Sequence, residues 1–191
     1  MLIVITGLDG SGTTTIANKL HLLDKGSFLL HTPSEEYCDR WSIDANIRNI
    51  SPMAHYLYYL SSVVYISDYI RKNIDYHKHN VYCVRYLIDT VVSHRVAGMN
   101  VELDYEKYNI LKPQLTIYVK LDEKIRQKRI TRRGKSELDQ VLDDEKTRNA
   151  FLKEFRKLAA GAICFDNGVN DVELEINNLF ATYITGDNNY E

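Results

Sequence analysis

Short apolar, β-branched runs alternate along the chain with longer stretches of helical spacing. The runs at 2–6, 27–31, 80–84, 115–121 and 162–166 have the length and largely apolar character of strands buried on both faces. Between them, apolar positions recur every three or four residues over 13–24, 52–77, 87–98, 122–133, 145–160 and 170–184, as in amphipathic helices. Gly26 and Gly134 stand where helices stop, Asp122 where one begins, and Ser51 is placed to cap a long helix whose first residue is Pro52. That helix is apolar on two sides, with Tyr56, Tyr59, Val63, Ile66 and Ile70 on one and Tyr58, Tyr65 and Tyr69 on the other. Strands separated by helices need crossover connections, which make neighbouring strands parallel. The pattern predicts one doubly wound α/β domain over 1–191: a five-stranded parallel sheet flanked by helices, with a loose polar tail at 186–191.

Composition fits that picture. A chain of 191 residues can bury one sizeable core. A net charge of −2 and a pI near 6.3 create no global field for nucleic acid, so any basic cluster must act locally and no nucleic-acid partner is expected. No apolar run approaches membrane-spanning length, and the apolar start lacks the basic residues of a signal peptide. Cys38, Cys83 and Cys164 are odd in number and far apart, which predicts reduced, mostly buried thiols in a cytoplasmic protein without a membrane partner.

The chemistry begins at the first strand–helix junction. Gly7-Leu8-Asp9-Gly10-Ser11-Gly12-Thr13-Thr14-Thr15 is a phosphate-binding loop with one departure: Thr13 stands where a lysine belongs. The three glycines let the backbone turn tightly and bring its N–H groups to a polyphosphate, and the helix from Thr13 adds the positive end of its dipole. Thr14 holds the position whose hydroxyl ligates magnesium between the phosphates of ATP. The Thr13 hydroxyl donates one neutral hydrogen bond but carries no charge, so binding can survive while catalysis needs a cation from elsewhere. A glycine-rich turn without a ligand is the plainer alternative.

Two further clusters qualify. Arg126, Lys128, Arg129, Arg132, Arg133 and Lys135 put six cations into ten residues, with Arg129 and Arg133 on one helical face. They form either a phosphate-covering lid around 126–139 or a solvated helix end whose cations complement the dipole. Arg85 ends an apolar strand, where open α/β sheets bind ligands, and Asp89 four residues on offers it a purely structural ion pair.

These motifs resemble the thymidylate kinase branch of the P-loop nucleoside monophosphate kinases, over 2–134. Four features carry the resemblance: the 7–15 loop with its distinctive Asp9, the strand Val81-Tyr82-Cys83-Val84-Arg85-Tyr86, the segment Lys112-Pro113-Gln114-Leu115-Thr116, and the helix from Asp122 through Arg129 and Arg133 to Gly134. The resemblance implies a P-loop NTPase-type fold, a homodimer, and phosphorylation of a nucleoside monophosphate, thymidylate or a related nucleotide, by ATP and Mg²⁺. It further implies that Gly7, Asp9, Gly10, Ser11, Gly12, Thr13, Thr14 and Thr15 hold ATP. Thr14 and Asp9 would serve the metal. Arg85 would clamp the acceptor phosphate, and Arg129, Arg132 and Arg133 would cover the transferring group.

The departures are as informative. Val84 replaces an aspartate, and His31, Thr32 and Ser34 replace arginine, glutamate and glycine of the family's Thr-Arg-Glu-Pro-Gly segment. Tyr59 falls where the family stacks an aromatic ring on the base, but it is equally a core position; Val63 falls where the family reads the base with arginine. Asp89, Thr90, Ser93 and His94 stand where the family has Ser, Ser/Thr, Tyr and Gln, which argues against an unmodified thymidylate pocket. His94 reads a base or sugar, or is structural. The same sequence leaves room for a nucleotide-binding protein without kinase activity, or a kinase of another small acceptor.

Overall fold

A computed structural model describes residues 1–38, 42–135 and 137–185. The tail at 186–191 and Ser136 of the basic lid lie outside the described residues. Five strands, β1 (Leu2–Gly7), β2 (Phe28–His31), β3 (Val81–Val84), β4 (Leu115–Lys120) and β5 (Ile163–Asp166), form one sheet in the order β2-β3-β1-β4-β5. All four pairings are parallel, with Ile3 opposite Tyr82 on one side and Leu115 on the other. The expected five-stranded parallel sheet is therefore present, and β1, at its centre, feeds the glycine loop.

Helices α1 (Thr13–Leu23), α2 (Pro52–Asn73), α3 (Leu87–Val96), α4 (Glu123–Arg133), α5 (Glu137–Val141), α6 (Glu145–Leu158) and α7 (Val172–Leu179) make the connections. Side chains alternate across β1: Leu2 and Val4 join Val63, Ile66, Ile70, Leu87 and Val91 of α2 and α3, whereas Ile3 and Ile5 join Ile16, Leu20, Ile176 and Leu179 of α1 and α7. Each of these buried aliphatic side chains contributes about 1.5–3 kcal/mol, which fixes the register of the central strand.

Helix starts follow the sequence. Ser51 accepts from the Ala54 N–H with Pro52 at the first turn, and Asp122 accepts from the N–H groups of Lys124 and Ile125. Gly134 ends α4 with a φ of 90°. Several elements differ from the periodicity. The helix expected to 77 ends at Asn73, and Ile74 turns inward in extended conformation. The helix expected over 170–184 is regular only to Leu179 and widens into a π-turn at Phe180–Ile184. Short turns at Ile43–Ile47 and Glu137–Val141, below the length at which periodicity is readable, were not predicted. The cysteine expectation fails in part: Cys83 is buried, but Cys38 and Cys164 are exposed, because Cys164 lies on the outward side of an edge strand and Cys38 in a loop. No helix of the described residues is long and apolar enough to cross a membrane.

Candidate functional site

The glycine loop wraps the C-terminal end of β1. Gly7, Gly10 and Gly12 all have positive φ, and the Ser11 N–H closes a turn onto the Leu8 carbonyl at 3.0 Å. Space is as decisive as φ. A Cβ on Gly7 would stand 2.5 Å from the Val119 carbonyl oxygen, one on Gly10 would stand 2.7 Å from Ile130 Cδ1, and one on Gly12 would overlap the Asn167 carboxamide.

Asn167, which sequence reading did not single out, is a clasp on this loop. It is buried just past β5; its Nδ2 donates to the Ser11 carbonyl at 2.6 Å, and its own carbonyl accepts from Arg129 Nη2 at 3.1 Å. Arg126 is a second brace. Only 1 % exposed, it donates to the Asp9 carbonyl at 2.9 Å and to both oxygens of Glu123, at 2.7 and 2.8 Å. A guanidinium satisfied in this way holds the loop against α4 instead of facing a ligand.

Asp9, Gly10, Gly12, Thr13, Thr14, Thr15, Arg85, Arg129, Arg133 and Asn167 line a cavity of about 540 Å³ above the loop. Two of the three lid arginines therefore reach it: Arg129 beside Gly12, and Arg133, whose Nη2 also donates to both carboxylate oxygens of Asp139, at 2.9 and 3.0 Å. Arg132 is exposed and does not line the cavity. Thr13 is 6 % exposed, with its methyl group against Gly7, and brings no cation. The cavity suits a metal-bound polyphosphate: the Thr14 hydroxyl and the Asp9 carboxylate are hard oxygen donors on its wall, the number of protein ligands magnesium usually takes when phosphates and water supply the rest.

Arg85 stands at the junction with a second cavity. Its φ of 64° is rare for a residue with a side chain and turns the guanidinium back under the loop. There it pairs closely with Asp9, bonds Asp89 Oδ1 at 3.3 Å and approaches the Gly7 carbonyl at 3.5 Å. Burial works against its charge, but Asp9 and Asp89 outweigh burial and hold the guanidinium more firmly protonated than usual. Asp89, 9 % exposed, also accepts from Thr6 Oγ1 at 2.8 Å and from the Tyr86 N–H at 3.0 Å. Burial nevertheless raises its pKa, against the charge of Arg85 and these hydrogen bonds. The structural Arg85–Asp89 pair anticipated from spacing thus exists, together with a partner, Asp9, that spacing did not suggest.

The second cavity, about 260 Å³, is lined by Asp9 and Arg85 at the junction and by Thr32, Pro33, Asp44, Arg48, His55, Tyr59, Tyr86, Asp89, Thr90, Ser93 and His94. Tyr59, Asp89 and His94 all reach it, as predicted positions do when a helix face turns toward a sheet end. Val63 is fully buried in the core, away from it. Asp44, Arg48 and His55 were missed. Two lie in or just after an unpredicted turn, and His55 sits one step off the aromatic stripe of α2.

Loop, parallel sheet and adjoining cavities define the class: a P-loop nucleotide kinase. The chain belongs to the thymidylate kinase family, whose model matches residues 5–176. Among solved structures it is similar to thymidylate kinase from Candida albicans, at 19 % identity over 98 % of this chain and 92 % of that one, with a TM-score of 0.71. It also resembles thymidylate kinase from Ehrlichia chaffeensis, at 17 % identity over 95 % and 97 % of the chains and a TM-score of 0.67. Deoxyadenosine kinase from M. mycoides, solved with dCMP and a flexible dCDP bound, aligns at 20 % identity over 97 % and 100 % with a TM-score of 0.66. At such identities these likenesses establish the fold. No curated protein sequence gives a significant match.

Proposed function

We propose that the protein transfers the γ-phosphoryl group of ATP to the phosphate of a nucleoside monophosphate, thymidylate or a related nucleotide. One observation carries the reading: the cavity above the glycine loop adjoins a second cavity lined by charged and aromatic side chains, and the same two side chains, Asp9 and Arg85, line both. Donor and acceptor groups bound there would meet at these shared side chains, and such positioning replaces covalent chemistry in phosphoryl transfer. The loop amides hold the donor phosphates. Magnesium, when bound, neutralises charge between them, with Thr14 and Asp9 as its protein ligands. Arg129 and Arg133 supply the charge that Thr13 does not, and Arg85 receives the acceptor phosphate.

A second reading has its own support. Arg85 is already matched by two carboxylates, and position 13 carries no ammonium, so a protein that binds nucleotide without turning it over fits the same cavities. A coupled ADP-release assay against nucleoside monophosphates and nucleosides, paired with calorimetry of ATP–Mg²⁺, separates them. Acceptor-dependent ADP release supports the kinase. ATP binding without release under any acceptor supports the binding protein, and no ATP binding by folded protein removes both.

A further inference from the structure

The acceptor cavity holds a chain of hydrogen bonds whose protons can be counted. His94 Nδ1 lies 2.7 Å from the Thr90 carbonyl, which only accepts, so Nδ1 carries a hydrogen. Burial lowers the pKa of His94 to about 4, leaving the ring neutral near pH 7 and Nε2 a bare acceptor. His55 Nδ1, 2.8 Å away, must donate to it. The other nitrogen of His55, Nε2, lies 2.6 Å from Asp44 Oδ1. One proton must occupy that contact. The pKa of Asp44 lies below the usual range, because hydrogen bonds from His55 and Tyr59 and the charge of Arg48 outweigh burial. Asp44 therefore accepts in this contact as a carboxylate.

Both histidines have then spent every polar atom on this chain and on each other. Asp44 has not. Its carboxylate offers about four lone-pair sites, and His55 and the single hydroxyl hydrogen of Tyr59 fill two of them. Arg48 stands 3.7 Å from Asp44 Oδ1, too far for a hydrogen bond, so among the described residues its donors remain unspent as well. The cavity wall thus presents an acceptor beside a donor, the complement of an N–H beside a carbonyl or ring nitrogen.

We propose that Asp44 is the base-reading residue of the acceptor site, accepting a hydrogen bond from a pairing-edge N–H of a nucleobase while Arg48 donates to the acceptor atom next to it. His55 and His94 are positioning residues that fix the carboxylate and its charge. The inference rests on the second cavity being the nucleotide acceptor site, as proposed above. It relocates base recognition from α2, where Val63 is buried, to the turn at Ile43–Ile47 and the residue that follows it.

The test crosses a protein change with a ligand change. Calorimetry compares dTMP, dGMP, dCMP and dAMP with N3-methyl-dTMP, N1-methyl-dGMP, N4,N4-dimethyl-dCMP and N6,N6-dimethyl-dAMP, on wild type and Asp44→Asn. A hydrogen bond to a charged acceptor predicts that methylation weakens the best-bound nucleotide about 10- to 100-fold in wild type, and by less than about threefold in Asp44→Asn. A merely structural Asp44 would weaken both ligands alike. Arg48→Met, at a half-exposed position that does not threaten folding, should weaken the unmethylated nucleotide about tenfold. Equal methylation penalties in wild type and variant, or no penalty with any base in wild type, overturn the proposal. If methylation matters but no nucleotide is phosphorylated, base reading stands and the kinase reading falls.

Discussion

If Arg129 supplies the charge that Thr13 lacks, restoring a lysine should matter most when Arg129 is absent. Arg129 lies against the loop, with Nη1 3.6 Å from where a Gly12 Cβ would stand and Nη2 anchored on the Asn167 carbonyl. A hydrogen bond from a guanidinium to phosphate contributes about 1.5–3 kcal/mol, and preorganised aim at a transition state raises the ceiling to about 4. Arg129→Ala should therefore lower single-turnover phosphoryl transfer by about 10- to 1,000-fold. ATP affinity should fall far less, because an interaction shared equally by ground and transition states does not accelerate chemistry.

Thr13→Lys has to leave the nook its predecessor fills, where the Thr13 methyl lies 3.4 Å from the Gly7 Cβ position, and run its stem along the cavity wall. In wild type, where Arg129 already neutralises the phosphates, the gain should stay below about tenfold. In the Arg129→Ala background the same lysine should recover most of the lost rate, a coupling of about 1.5–3 kcal/mol in a double-mutant cycle. Rapid-quench measurement of transfer from labelled ATP, with equilibrium ATP binding on all four proteins, gives both numbers. Equal acceleration by Thr13→Lys in the two backgrounds would falsify the compensation and pass the role to Arg133 or Arg85.

Gly12→Val should abolish ATP–Mg²⁺ binding by calorimetry while the fold persists, since its Cβ strikes Asn167 and its φ of 100° suits only glycine; retained binding would show that the loop is not the nucleotide site. His94, held near 4 against 6.5 when unfolded, binds fewer protons folded than unfolded, so its stability term is intact above pH 6.5 and is lost as pH falls toward 4. Urea unfolding should lose about 2 kcal/mol between pH 7 and 5, and His94→Gln should flatten that slope; an unchanged slope would mean that His94 is not the titrating group. Asp9→Asn should tighten acceptor binding, by freeing the Arg85 guanidinium, and lower kcat, by weakening the metal site; a rise in both KM and kcat would reverse the assignment.

The sheet was legible because parallel strands buried on both faces read as unbroken apolar runs, and β1 and β3 are of that kind. The loop was legible because its glycines are required one by one, by φ and by the atoms that would meet a Cβ. What failed to show were partners set by tertiary approach. Arg126 and Arg129 look alike in sequence, three residues apart, yet one turns inward to Glu123 and the Asp9 carbonyl and the other lines the cavity above the glycine loop. Asp44 and His55 belong to no motif; they acquire meaning only when the turn at Ile43–Ile47 folds over α2 and α3.

The charges at the junction explain how such a site can work with a neutral loop. Asp9 and Asp89 share one guanidinium, so the junction without ligand carries a net negative charge, which a loop lysine would neutralise. An acceptor phosphate reaching Arg85 must displace a carboxylate. Asp89 is the harder to move, being 9 % exposed and bonded to Thr6 and the Tyr86 N–H, whereas the Asp9 side chain is 22 % exposed and, among the described residues, bonded to Arg85 alone. On the proposed reaction, Asp9 would yield its place on Arg85 to the acceptor phosphate and be free to help hold a metal ion. Arg126, bonded to the Asp9 carbonyl, would keep the backbone fixed during that exchange, so that only the Asp9 side chain need move.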